Sequence, residues 1–207
     1  DATLVNRDGK DLNLRVKGLA HTWRVPSRAE CMMCHSRAVR YVLGLTDVQM
    51  NRTHDYGGFK ANQIEVLTSL SALKNVKRKE DEPILRLVNP HDKKADLATR
   101  VRSYWQANCA HCHVEAGGGN AQMELEFHTK LAKTSTLDAR PVHKDFGLGE
   151  HARIIAPGDP GRSVMLQRII SPAQGRMPPI GHPALDPQWI QLLSQWISSL
   201  DKGTSSP

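Results

Sequence analysis

All four cysteines of this 207-residue chain fall into two copies of one pattern. "AECMMCHSRA" holds Cys31, Cys34 and His35, and "NCAHCHVEAGGG" holds Cys109, Cys112 and His113. Cys-x-x-Cys-His is the attachment signature of c-type haem. Each thiol adds across one porphyrin vinyl group, and the adjacent histidine supplies its imidazole to the iron as the proximal ligand. The two intervening residues set the cysteine separation and are otherwise free to vary, as Met32-Met33 and Ala110-His111 do. Other uses of cysteine explain less. Zinc could take four cysteines as two knuckles, but the halves lie 75 residues apart and zinc has no need of a histidine after each. A thioredoxin-like redox pair expects a βαβ setting, and no such alternation is present. Structural disulfides leave the histidines without a purpose. The pattern predicts two covalently attached haem c groups, tethered by Cys31, Cys34, Cys109 and Cys112, with His35 and His113 as iron ligands. His111 sits between two tethered thiols and is not expected to reach an iron.

The motifs divide the chain into two modules, residues 1–90 and 91–207. Apolar and polar residues alternate on both sides of "NRDGKD" within residues 3–16, which predicts a short N-terminal hairpin with Leu12, Leu14 and Val16 on one face. "SRAVRYVL", residues 36–43, predicts a short helix ending at Gly44. Asn62 with Glu65 resembles a capping box, followed by Ile64, Leu67 and Leu70 at helical spacing. Residues 74–94 are charged and proline-punctuated and read as the connection between modules. In the second module Leu97, Val101 and Tyr104 recur at i, i+4 and i+7 on a helix that runs into the haem motif. Asp159-Pro160 and Asp186-Pro187 each place an N-cap before a proline at the first helical position. After the second, Trp189, Leu192, Leu193, Trp196, Ile197 and Leu200 form one apolar stripe, with the tryptophans expected to pack between helices. The tail "GTSSP" reads as disordered.

Each iron also needs a group on its distal face to become six-coordinate. For the second haem "GRMPPIG" supplies Met177, in a loop that prolines and glycines hold extended with little side-chain bulk. The 64 residues from His113 to Met177 leave room for two helices to pass round a porphyrin. The first haem has no such loop. Met50 and His54 are its leading candidates, with His21, His91 or an open site as alternatives. Fifteen residues separate His35 from Met50, and an extended chain covers about 50 Å in that interval. Met50 lies in the polar, turn-rich "DVQMNRTHDYGG", where a thioether has no evident core role, and a persisting helical turn would put His54 on the same side.

Residues 95–200, with a helix, a Cys-x-x-Cys-His, a Met-Pro loop and a C-terminal helix, resemble a class I c-type cytochrome domain. "WRVPSRAECMMCH", "LGLTDVQMNRTHDYGG", "NQIEVL", "NCAHCH", "APGDPGRSVMLQR" and "RMPPIG" together resemble a bacterial dihaem cytochrome module, from Trp23 onward. The resemblance implies a mainly α fold of two class I cytochrome c-like haem modules and a role in electron transfer. Such modules often stand at the C-terminal end of larger secreted proteins, in some cases after a dehydrogenase-like region.

Charge and hydropathy narrow the setting. The formal net charge is +7, and residues 1–94 hold 17 Lys/Arg against 11 Asp/Glu. Few aromatics and no nucleic-acid motif accompany that basic half, so it reads as a solvated face suited to an acidic redox partner protein. No apolar run approaches the roughly 20 residues of a membrane span, and the polar start "DATLVNRDGKD" is not a signal peptide. Thioether attachment takes place outside the cytoplasmic membrane in bacteria, so the chain is expected to be periplasmic, as a mature chain or a piece of a longer secreted precursor. The leading reading is a dihaem electron carrier, or the cytochrome domain of a larger redox protein with an upstream dehydrogenase domain, and not an enzyme itself. The alternative is a dihaem peroxidase-type enzyme with an open first haem and His54 or Glu65 as the distal acid–base group. A haem-based gas sensor would need the same open site, and no signalling domain accompanies it.

Overall fold

A computed structural model describes residues 2–16, 18–73, 85–172, 174–180 and 185–201. The expected disordered tail and residues 74–84 of the expected connection lie outside the described residues. The chain opens with an antiparallel hairpin of β1 (Lys10–Val16) and β2 (Leu19–Val25). The hairpin exists, but its strands pair from Lys10↔Val25 to Val16↔Leu19, so its turn falls after Val16 and not in "NRDGKD". The "NRDG" turn, closed by Gly9 N–H on the Asn6 carbonyl at 3.0 Å, precedes β1. Gly9 (φ +69°) lies against the far strand's end, where a Cβ would stand 2.4 Å from the Val25 carbonyl oxygen. The face assigned to Leu12 and Leu14 is only partly covered, since Leu14 is exposed.

The end of β2 feeds α1 (Arg28–Cys34), which carries the first motif. Its start is a full capping box: Glu30 N–H donates to Ser27 Oγ at 3.1 Å, and Ser27 N–H returns to Glu30 Oε2 at 2.7 Å. Arg24 of β2 closes on the same carboxylate at 2.9 Å. The Ser27 backbone amide and the Arg24 guanidinium hold the Glu30 carboxyl down at about 2 from its ordinary 4.5. A depressed carboxyl stabilises the fold above its unfolded pKa and loses that contribution as pH falls through the folded one. Amide protection in the first turn of α1 should therefore decline between pH 4.5 and 2, and Glu30→Gln should lack that decline in the same hydrogen-exchange titration.

The helix expected over residues 36–43 does not form. The chain turns instead, with Arg40 and Tyr41 at φ +54° and +63°, conformations that no right-handed helix admits. A one-turn α2 (Asp47–Met50) follows, then a second small hairpin, β3 (Thr53–Asp55) with β4 (Lys60–Asn62), and α3 (Gln63–Ser69). Asn62 caps α3 by accepting from Ile64 and Glu65 N–H, without a return bond from Glu65. Residues 85–90 then tie both parts of the chain together. Leu87 N–H reaches the Val48 carbonyl at 3.1 Å, and Val88 N–H reaches Ser103 Oγ at 3.0 Å.

The core belongs to the C-terminal half. α4 (Leu97–Asn108) and α5 (Val164–Ile170) both pack against α6 (Pro187–Ser199). Val101 and Trp105 of α4 meet Leu192, Leu193, Trp196 and Ile197 of α6, all buried. Trp105 and Trp196 stand edge to face at 5.2 Å, and Tyr104 stacks on Trp189 at 3.9 Å. Asp186 caps α6 through Trp189 N–H and also accepts from the Tyr104 hydroxyl at 3.3 Å, joining the start of α6 to the second half of α4. Asp159-Pro160 opens a 3-10 turn (Pro160–Arg162) that breaks at Ser163 before α5 begins. Between His113 and Met177, where the sequence leaves room for two helices, the described residues hold one α-helix, α5. The rest is turns and 3-10 segments, pinned by bridges Leu137–Ile155 and Arg153–Ser163 and by a buried Thr134–Thr136 hydroxyl pair at 2.7 Å. Gly117–Gly119, Pro141, Gly147, Gly149, Pro157 and Pro160 punctuate the segment too often for longer helices. Helix consequently occupies less of the chain than a mainly α reading predicts.

Candidate haem-attachment site

Both motifs sit at the C-terminal end of a helix and share one local frame. α1 ends at Cys34 with His35 N–H donating to the Cys31 carbonyl at 2.9 Å. α4 ends at Asn108, and His113 N–H donates to the Cys109 carbonyl, also at 2.9 Å. In each case one closed turn carries both cysteines and delivers the histidine directly after them. Side chains three apart share a helix face, which is the placement two thioether bonds to one macrocycle demand.

The histidines differ in setting. His35 is exposed, and its Nδ1 lies 2.8 Å from the Tyr41 carbonyl. A proton on Nδ1 is fixed by that carbonyl, which leaves Nε2 as the lone-pair nitrogen, the usual way a second partner orients a ligating imidazole. The left-handed turn at Arg40-Tyr41 is what brings that carbonyl round. His113 is buried, and its Nδ1 lacks a hydrogen-bond partner. Burial, His111 and the Arg168 charge push its pKa down to about 4, against a smaller upward pull from the Ala121 backbone. The imidazole is therefore neutral at neutral pH, the form that binds iron. Behind it, Gly119 leaves no room for a side chain: a Cβ there would stand 2.7 Å from His113 Nδ1. Burial and the adjoining Cys112 push the Cys109 thiol up to about 12, and burial and the facing Cys34 do the same to Cys112. Neutral sulfur suits these positions, and a thioether is neutral. The Trp105 indole N–H, four residues before Cys109, is likewise buried without a partner. Two neutral sulfurs three residues apart, a neutral imidazole directly after them and a buried indole N–H without a hydrogen-bond partner fit a covalently held haem.

Met177 is half-buried, and its backbone N–H donates to the Arg168 carbonyl at 2.9 Å. Arg168 reaches back with Nη1 to the Gly175 carbonyl at 2.8 Å, closing the loop onto α5. The same guanidinium acts on His113 electrostatically, so Arg168 links the Met177 loop to the His113 side of the core. Arg168 was not singled out from sequence, where a basic residue in an amphipathic helix looks like any solvated one. Met50, expected in an open polar turn, is buried at 8% exposure beside Val48. The one-turn helix turns it inward. His54 does not share a helical face with it, because α2 stops at Met50 and Thr53–Asp55 is a strand. His54 is exposed and packs its ring edge against Tyr56 at 4.7 Å.

The structure also brings the two motifs together. Cys112 Sγ lies 3.5 Å from Cys34 Sγ and 3.2 Å from the Met33 carbonyl oxygen. His111 completes a group of three donors with Cys34 and Cys112, all within 4.8 Å of one another.

A Cys-x-x-Cys-His delivered directly after a helix, with a neutral buried histidine and backed by a three-helix core and a methionine loop, defines a c-type haem-attachment domain. The family model for cytochrome c matches residues 98–201, half of the chain, from the first turn of α4 through α6. The chain belongs to the cytochrome c family, which carries covalently bound haem c and transfers electrons. No curated protein and no solved structure matches the chain. Among the described residues no helix is long and apolar enough to cross a membrane.

Proposed function

We propose that the chain is a dihaem c-type cytochrome of two class I-like modules, residues 1–90 and 91–207, working as an electron carrier or as the cytochrome domain of a larger redox protein. The observation that carries this is the shared frame of the motifs: the same 2.9 Å bond from histidine N–H to first-cysteine carbonyl closes both. Cys31 and Cys34 hold the first haem and Cys109 and Cys112 the second. His35, oriented by Tyr41, and His113, fixed in the core, are the proximal ligands. Met177 fills the distal side at the second haem. Met50 does so at the first, with His54 as the competing group. Bound haem supplies an iron that cycles between ferric and ferrous states. The protein's residues keep that centre six-coordinate and exclude water and other ligands from it.

Thioether attachment is made outside the cytoplasmic membrane in bacteria, which supports a periplasmic or other extracytoplasmic location. Its basic charge, +7 overall, suits an acidic redox partner protein, and an upstream dehydrogenase domain is the other source of electrons. Replacing Cys31 and Cys34 by serine, and separately Cys109 and Cys112, should each halve the haem content in a pyridine haemochromogen assay. If the first pair leaves the content unchanged, the N-terminal motif carries no haem and the proposal fails.

A further inference from the structure

We propose that Cys34 and Cys112, the second cysteine of each motif, form the contact through which the two haem sites exchange electrons, holding the two macrocycles edge to edge. The inference rests on the dihaem reading above and adds the relation between the sites. The two residues are 78 positions apart in sequence, yet their sulfurs stand 3.5 Å apart. Cys112 Sγ is also 3.2 Å from the Met33 carbonyl oxygen. Gly118 makes the approach possible: a Cβ built on it would lie 2.2 Å from that same oxygen and 3.0 Å from the Met33 carbonyl carbon. Backbone therefore rests on backbone where the two motifs meet, and no larger residue fits without parting them. His111 lies beside both sulfurs, its ring nitrogen within 4.8 Å of each.

The chemistry follows from the bonds. A thioether sulfur is bonded to a carbon that is itself bonded to the pyrrole ring, so each sulfur lies two bonds from its macrocycle edge. Two such sulfurs in contact would leave a few bonds and one van der Waals gap between the macrocycles that Cys34 and Cys112 would hold. An electron passing between them takes the donor iron from ferrous to ferric and the acceptor from ferric to ferrous. No bond is broken and no proton moves. Electronic coupling falls steeply with distance, so this contact governs exchange within the chain.

Chromophores held that close couple in the Soret region. The holoprotein should show a two-signed Soret circular-dichroism couplet that neither one-haem variant (Cys31→Ser with Cys34→Ser, or Cys109→Ser with Cys112→Ser) shows. Gly118→Val should lose the couplet while intact mass reports both haems in place, and Gly118→Ala should weaken it. Should the valine variant fail to accumulate, the comparison of wild type with the one-haem variants decides alone. A two-haem wild type whose Soret dichroism equals the sum of the one-haem spectra overturns the inference and leaves the dihaem reading intact. A wild type carrying a single haem by mass overturns the dihaem reading itself.

Discussion

On the proposed dihaem reading, Met177→Ala should convert one haem, and only one, from low spin to high spin or water-ligated in the visible and EPR spectra of the ferric protein. Removing the thioether opens the distal position, and no neighbouring side chain in "GRMPPIG" can replace it, since the flanking residues are Arg, Gly, Pro and Ile. The loop itself should survive, because its anchors are backbone and Arg168: the Met177 amide on the Arg168 carbonyl at 2.9 Å and Arg168 on the Gly175 carbonyl at 2.8 Å. Met177→His should keep that haem low-spin and lower its potential, because imidazole stabilises ferrous iron less than a thioether does. If neither substitution touches the spectrum, Met177 is a packing residue and not a ligand.

Trp196→Ala should cost the fold heavily. The side chain is 2% exposed and meets Trp105 edge to face at 5.2 Å, one turn before Cys109. Truncating a buried tryptophan leaves a cavity worth about 3–5 kcal/mol. Unfolding followed by denaturant should show the midpoint falling by that equivalent, with haem still covalently attached. Because α6 backs the helix that delivers His113, the second haem's spectrum should broaden before the first changes. A midpoint unchanged within about 0.5 kcal/mol would mean that the two helices are not packed through this pair.

What could be read from the chain follows local chemistry closely. The two Cys-x-x-Cys-His motifs, α4, α6 and the Asp186-Pro187 start announce themselves through residue type and spacing within a single turn or stripe. The capping box at Ser27 and Glu30 was equally present in the sequence, as S-x-x-E directly before the motif, and it proved to be the complete one, whereas Asn62 with Glu65 formed only half. The second hairpin had its signal in Gly57-Gly58, with Tyr56 stacked on Phe59 at 5.1 Å across the turn. Residues 36–43 misled because helical composition lost to the turn that carries the Tyr41 carbonyl to His35. Met50 misled for the opposite reason: polar neighbours in sequence say little about a single helical turn folded inward. The contact of Cys34 with Cys112 had no sequence signal at all. It depends on where residues 78 apart come to rest, and the glycine run "AGGGN" that permits it looks from sequence like an ordinary loop.

Whether one chain carries two covalent haems is decided most directly by intact mass after acid–acetone extraction, which strips any haem that is not covalently held. The mass should exceed that of the polypeptide by two haem groups. A mass one haem above the polypeptide would leave a single attachment site, and a bare polypeptide mass would leave none.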